Sequence, residues 1–544
     1  MKSNGGDLLV QVLREAGVDT VFGVVSVHNQ PLVQAVSRDL RFVPVRHEAS
    51  AVNAADGYAR ATGGLGCALT STGTGAGNAA GALIESLSSG TSVLHVTGNI
   101  ESRYLGSGRG FIHETKDQLG MLTAVSHHAE TIVDADGAGK VLRAGVARAL
   151  ERPGGPVSIE WPIDLQYSAQ VVEPAAAPEP EAGTAPSDAA IAGAVEALRG
   201  ARRPVIWAGG GVARAGAELA GLVESWGAAL LTSNSGRGAV PEDHELCIGN
   251  YGNSPLGREL LADADVLLSI GTHFRSNETG DYAMPVPTVH VQVDLDEAAI
   301  GRVYPATGVV GDAAAVLTAL TAAGLGAADP AWTERARSTR DEVRARQRAG
   351  LGPHALLADA IRASVPRDAV VARDVTIASS SWGNRLLPMY DPRSNIFPRG
   401  GGIGQGLGMA IGAALADETR PTVGMVGDGG LAVHFGELMT MAQEQPWLVL
   451  VVFNDRGYGV LRNMQQGLGQ STYAVDLATP SFEMLSAALG LEYRCIATSE
   501  QAGPILREAV DLRRPVIVEV DLASYGEMPA PFTPPVSVPD AEEA

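Results

Sequence analysis

The chain has 544 residues, 45% of them hydrophobic, a formal charge of −21 and three cysteines. At roughly 150 residues per domain this predicts about three domains with real cores and excludes global disorder. The acidity argues against a nucleic-acid or anionic-membrane surface, and Cys67, Cys247 and Cys495 lie too far apart, outside any Cys/His cluster, to suggest a disulfide framework or a zinc site.

The segment Met1 to Asp7 carries no apolar signal core, and the longest apolar run, Trp447 to Phe453, is too short to cross a bilayer. A cytoplasmic protein is expected. Leu8, Leu9, Val12, Leu13 and Ala16 mark an apolar helical face closed by Gly17, and Thr20 to Val25 reads as a strand. Val171 to Asp188, rich in Pro, Ala and Glu, reads as an extended linker after a first domain over residues 1–170. A central block, 189–325, offers strands at Pro204 to Ala208, Val266 to Ile270 and Val289 to Val293. Trp332 to Arg348 has the mixed charge of a solvated helix. The last block, 345–530, offers Ala369 to Ala372, Thr422 to Val426, Leu448 to Phe453 and Val516 to Val520. Continuous apolar strands separated by helices predict parallel sheets flanked by helices, hence three α/β domains in series.

Ligands of such sheets bind where strands turn into helices, and glycine concentrates there: Gly73 to Asn78, Gly209 to Gly211, Gly400 to Gly408 and Gly427 to Gly430. The sharpest signal is Gly427–Asp428–Gly429 after one apolar strand, with 24 residues between Gly429 and the pair Asn454–Asp455 after the next. A helix from about Phe435 to Gln443 fills the interval, making a βαβ unit whose strand ends lie side by side. Convergent carboxylate and carbonyl oxygens suit a hard divalent cation. The glycines expose backbone N–H groups to a diphosphate.

These residues resemble the metal motif of the thiamine-diphosphate enzymes, specifically the acetolactate synthase, benzoylformate decarboxylase and pyruvate decarboxylase group. Further segments carry the resemblance across the chain. Arg46–His47–Glu48–Ala49–Ser50 and Ala54 to Arg60 match the segment whose glutamate activates the cofactor through its aminopyrimidine, which implies that role for Glu48. Thr72, Gly73 and Asn78 fall in the loop beside the pyrimidine, and Gly402 and Ile403 fall where the family holds the middle of the cofactor, Ile403 as an apolar wedge. Asp374 and Thr376 lie at a strand end that binds diphosphate oxygens, with Gly427, Gly429, Gly430, Tyr458, Gly459 and Val460 completing the cofactor site. The resemblance implies Mg2+ on Asp428, Asp455 and the Gly457 carbonyl, with Asn454 as an alternative or shared ligand.

It also implies non-oxidative decarboxylation of a small-molecule 2-oxo acid. The product is an aldehyde, or the acyl carbanion passes to an acceptor carbonyl. Around the reacting carbon this chain departs from its relatives. His113 stands where acetolactate synthases carry glutamine, Ser71 stands where benzoylformate decarboxylases carry histidine, and Ser26 lies one residue before the position of their serine. His113, His28 and Ser26 are therefore the candidate proton-handling groups. The tryptophan of acetolactate synthases is absent from Val460 to Gln465, which disfavours the alternative of condensing two pyruvates. Gly209–Gly210–Gly211 and Gly271 to Arg275 lie where acetolactate synthases bind FAD, which is not favoured here. A catalytically silent regulatory subunit is the alternative of another class. The family implies a homodimer or homotetramer in which Glu48 of one chain meets Asp428 of the next.

Overall fold

The computed structural model describes residues 3–170, 183–526 and 528–533. Most of the expected linker, 171–182, lies outside them; Ser187 accepts the Ala190 N–H and caps the helix Asp188–Leu198 that follows.

The first sheet contains β1 (Thr20–Gly23), β2 (Arg41–Pro44), β3 (Gly66–Thr70), β4 (Val93–Asn99), β5 (His128–Thr131) and β6 (Val157–Pro162) in the order β2-β1-β3-β4-β6-β5. The second contains β7 (Pro204–Ala208), β8 (Ala229–Thr232), β9 (Cys247–Gly249), β10 (Val266–Ile270), β11 (Val289–Asp294) and β12 (Thr307–Val310) in the order β12-β11-β10-β7-β8-β9. The third contains β13 (Val370–Arg373), β14 (Asn395–Ile396), β15 (Thr422–Gly427), β16 (Leu448–Asn454), β17 (Glu492–Ile496) and β18 (Val516–Asp521) in the order β14-β13-β15-β16-β18-β17. Every pairing is parallel. The expected three-domain α/β fold holds. No helix among the described residues is long and apolar enough to cross a membrane.

The first and third sheets share one strand order, so they are topological copies. The helix after the second strand of each, Glu48–Thr62 and Gly406–Ala416, packs against its counterpart. Both are rich in alanine and glycine because the backbones nearly touch: a Cβ on Gly412 would lie 1.9 Å from the Ala54 carbonyl oxygen, and one on Gly57 2.1 Å from that of Met409.

Two expectations need correction. β1 ends at Gly23, not Val25, because Asn29 Nδ2 donates to the Val24 and Thr70 carbonyls at 2.9 and 3.2 Å and turns the chain off the sheet. The mixed-charge stretch is the helix Pro330–Leu351, and it is not simply solvated: Trp332, Ala336 and Val343 enter the central core, and Trp332 Nε1–H donates to the Pro204 carbonyl at 2.9 Å. Its arginines hid a sparse apolar stripe.

Candidate active site

At the carboxyl ends of β13, β15 and β16 lies a cavity of about 350 Å3 bordered by Thr376, Ile403, Gly427 to Gly430, Asp455 and Gly457 to Val460. Asp428 is 1% exposed, and its Oδ1 accepts the Asp455 N–H at 3.3 Å. Asp428 Oδ2 and Asp455 Oδ1 are buried without hydrogen-bond partners. Burial raises the Asp428 pKa, and burial together with the Asp428 charge pushes Asp455 up to about 7. Two adjacent carboxylates with buried, uncommitted oxygens fit a divalent cation, whose charge would remove the penalty of ionising both. Among the described residues no third His, Cys, Asp or Glu joins them, so the remaining ligands must be neutral or come from a bound anion. The Gly457 carbonyl oxygen lies 2.7 Å from where a Cβ on Gly429 would stand, so only glycine lets it approach. Ile403 lines the cavity with 41% of its surface exposed, an uncovered apolar side chain beside polar loops.

Three sequence-predicted residues sit differently. Asn454 does not line the cavity: its Nδ2 donates to Glu519 Oε1 at 2.6 Å and its Oδ1 accepts the Arg456 N–H at 3.1 Å. Asp374 also stands behind the lining. Its carboxylate accepts the N–H groups of Val375 (2.7 Å), Gly404 (2.9 Å) and Gly406 (3.3 Å), fastening the loop that presents Ile403, and burial pushes it up to about 6. A second anion would repel a diphosphate; this one holds backbone donors instead. Gly402 is packed beside the Gln405 amide and also lies outside the lining.

The other predicted residues gather on the first sheet. Glu48 opens the helix Glu48–Thr62, capped by His47, whose Nδ1 accepts the Ala49 N–H at 3.2 Å. Asn78 Nδ2 donates to Glu48 Oε2 at 3.0 Å, and a Cβ on Gly75 would lie 2.9 Å from Glu48 Oε1, so the glycine loop makes room for this carboxylate. Gln118, which sequence reasoning missed, ties the same loop down: its Oε1 accepts from Thr72 Oγ1 (3.0 Å) and the Gly73 N–H (2.7 Å), and its Nε2 donates to the Gly98 carbonyl (3.3 Å). The Gly73 φ of +62° brings that residue against the His113 carbonyl. The His113 ring meets His28 edge to face with centroids 5.1 Å apart, and the His28 N–H donates to Ser26 Oγ at 3.2 Å. His28 is 6% exposed with an unpartnered Nδ1; burial, then the nearby His113, lowers its pKa. A second pair, His47 and His434, has ring centroids 5.1 Å apart, and burial with the His47 neighbour pushes His434 down to about 4.

The cavity is bordered only by residues from His354 onward, so Glu48 and its loop do not line it within one chain. The two groups of residues thus lie apart, one on each topological copy.

Residues 3–121 match the N-terminal TPP binding domain of thiamine pyrophosphate enzymes, 191–320 their central domain and 377–520 their C-terminal TPP binding domain. The chain is 34% identical to the probable 2-ketoarginine decarboxylase AruI of Pseudomonas aeruginosa, over 90% of this chain and 89% of that protein. It belongs to the thiamine pyrophosphate enzyme family. It is also 28% identical to the acetolactate synthase isozyme 2 large subunit of Escherichia coli, over 98% of each chain, and 29% identical to the benzoylformate decarboxylase of P. aeruginosa, over 94% of this chain and 97% of that one.

In this member of the family a second cleft, of about 420 Å3, lies where the strand order of the central sheet reverses between β7 and β10 and is closed on its other side by first-domain residues such as Ser88, Ser92 and Arg152. Gly210, Gly211, Gly271, Thr272, His273 and Arg275 border it, which locates the segments expected where relatives bind FAD. Arg275 crosses one side of the cleft, donating to the carbonyls of Ser88 (2.7 Å) and Arg399.

Proposed function

We propose that the protein is a thiamine-diphosphate-dependent, non-oxidative decarboxylase of a 2-oxo acid that releases an aldehyde or passes the acyl carbanion to an acceptor carbonyl. The observation that carries this reading is the pairing of Asp428 and Asp455, buried with uncommitted oxygens in a glycine-lined cavity, with a separate carboxylate, Glu48, held over a glycine loop by Asn78.

Thiamine diphosphate, when bound, supplies the nucleophilic carbon and the electron sink for loss of carbon dioxide. The chain supplies position and protons. Asp428, Asp455 and the Gly457 carbonyl would hold Mg2+, and the backbone N–H groups of Gly429 and Gly430, at the start of a helical turn, would be available to the diphosphate oxygens. Thr376 and the Tyr458 to Val460 segment close the sides of this site, and Ile403 presents the apolar wedge. Thr72, Gly73 and Asn78 shape the pyrimidine loop. Glu48 holds a proton at a ring nitrogen of the pyrimidine. His113 and His28 give or take the proton that decides between aldehyde release and carbon–carbon bond formation, with Ser26 orienting the His28 backbone.

Because the two groups do not meet in one cleft, the active site in this proposal forms between two chains, Glu48 of one facing Asp428 of the other. Co-expression of Glu48→Gln chains with Asp428→Ala chains tests this. Each homodimer is inactive, whereas a heterodimer holds one intact site, so activity should return in the mixture. No recovery in a verified heterodimer would put the site within one chain. Likeness to a probable 2-ketoarginine decarboxylase puts 2-ketoarginine first among trial substrates, before benzoylformate and pyruvate.

A further inference from the structure

We infer that Glu519 is a positioning residue for the metal loop, acting through Asn454; the inference rests on the reading of Asp455 and the Gly457 carbonyl as cation ligands. Glu519 lies on β18, which pairs with β16 so that Val452 faces Glu519 and Asn454 faces Asp521. Its two oxygens have separate partners: Oε1 accepts from Asn454 Nδ2 and Oε2 from the Tyr493 hydroxyl, each at 2.6 Å. Tyr493 stands on β17, which pairs with the other side of β18, so the carboxylate is held between a residue of each neighbouring strand.

What Glu519 holds is an amide with two obligations. Asn454 must donate to a group that only accepts, the carboxylate, and accept from a group that only donates, the Arg456 N–H at 3.1 Å. An amide meets both demands at once. A carboxylate at 454 would meet Glu519 oxygen to oxygen, and this is why the pair reads Asn–Asp, with the acidic residue second.

The second bond matters because Arg456 has φ +59° without being glycine, a conformation that persists only where surrounding contacts impose it. That turn separates Asp455 from Gly457, so it sets the angle between a ligand carboxylate and a ligand carbonyl. Elsewhere the loop is fixed by backbone: Tyr458 N–H donates to Val475 O at 2.8 Å and Leu477 N–H to Arg456 O at 3.1 Å. Arg462 reaches the Asp455 carbonyl at 3.2 Å, whereas Asp455 Oδ1 has no partner. Asp428 restrains Asp455 from one side by accepting its N–H at 3.3 Å, and the Glu519–Asn454–Arg456 chain of hydrogen bonds fixes the turn on its other side.

Loss of an outer residue that orients metal ligands typically weakens metal affinity by about 10- to 100-fold. The test is titration of the full-length protein with Mn2+ in the presence of thiamine diphosphate, free Mn2+ being read by electron paramagnetic resonance. Glu519→Leu should weaken Mn2+ binding by about tenfold or more, with kcat at saturating metal within about threefold of wild type. Glu519→Gln keeps an oxygen for Asn454 and an N–H for the Tyr493 oxygen, and should restore affinity to within about threefold. Wild-type affinity in Glu519→Leu would overturn the inference, as would a Gln variant as weak as Leu. Should Glu519→Leu not fold, Asn454→Ala removes the same link and should show the same loss; wild-type Mn2+ affinity there overturns the inference equally. Asp455→Ala, which leaves no side-chain oxygen at that position, is run alongside and separates the two levels: normal Mn2+ binding in that variant refutes the ligand assignment itself, whereas lost binding there beside normal binding in Glu519→Leu refutes only the positioning role.

Discussion

Replacing Asp455 by asparagine should stabilise the metal-free protein above neutral pH while leaving an amide oxygen that can still ligate magnesium. Burial and the neighbouring Asp428 raise the Asp455 pKa from 3.8 to about 7. A carboxyl whose folded pKa is raised binds its proton more tightly in the fold than in the unfolded chain. The fold therefore carries no penalty below about pH 4, loses stability as pH rises toward 7, and bears the full penalty beyond. A shift of about three units corresponds to at most ~4 kcal/mol, and partial solvent access reduces the expected gain of Asp455→Asn at pH 8 to ~1–3 kcal/mol. Asparagine is nearly isosteric and cannot ionise, so the difference from wild type should shrink steadily toward pH 4. Urea unfolding of both proteins at several pH values, with and without magnesium and thiamine diphosphate, reads this directly. Above neutral pH wild type should gain more stability from the cofactors than the variant, because the cation relieves a buried charge that asparagine does not carry. A variant whose metal-free stability falls with pH as steeply as wild type's would refute the reasoning.

Other outcomes follow from the same geometry. Glu48→Gln should lower kcat/KM by about 10²- to 10⁴-fold, the usual range for a positioned acid–base group, with circular dichroism and oligomeric state unchanged. Gly412→Ala drives a methyl into the Ala54 carbonyl and should cost about 1–3 kcal/mol or more in unfolding experiments, the usual range for overpacking. His434, held down to about 4 by burial and His47, resists protonation in the fold while the unfolded chain takes the proton near the ordinary 6.5. Stability should therefore fall as pH drops from 6.5 toward 4, and His434→Asn should make that slope shallower in pH-dependent unfolding.

Much of the fold was legible because its strands are uninterrupted apolar runs: Pro204 to Ala208 and Val266 to Ile270 match their expected limits. β1 extends to Val25 by sequence because Val24 and Val25 look like strand, but the amide of Asn29 holds the Val24 carbonyl and, across the chain, the Thr70 carbonyl, and takes the chain off the sheet after Gly23. The helix Pro330–Leu351 carried its core stripe among so many arginines that charge masked it. In the site, Asp428 and Asp455 announced themselves by spacing, since a βαβ unit fixes where strand ends lie. Asp374, expected at a diphosphate-binding strand end, and Asn454, expected as a shared or alternative metal ligand, fit by residue type; the sequence could not show that their side chains engage Gly404 and Glu519. Gln118, His434 and Glu519 left no pattern, because each acts on a residue distant in sequence and none sits in a recognisable motif.

The central claim is that the two carboxylates of the third sheet and Glu48 of the first serve one thiamine-diphosphate decarboxylation. It is tested most directly by following carbon dioxide release from 2-ketoarginine, benzoylformate and pyruvate, with magnesium and thiamine diphosphate added or withheld, in wild type and in Glu48→Gln. The account predicts release from at least one of these acids that requires both additions and disappears in the variant. Release indifferent to thiamine diphosphate, or undiminished in Glu48→Gln, would contradict it.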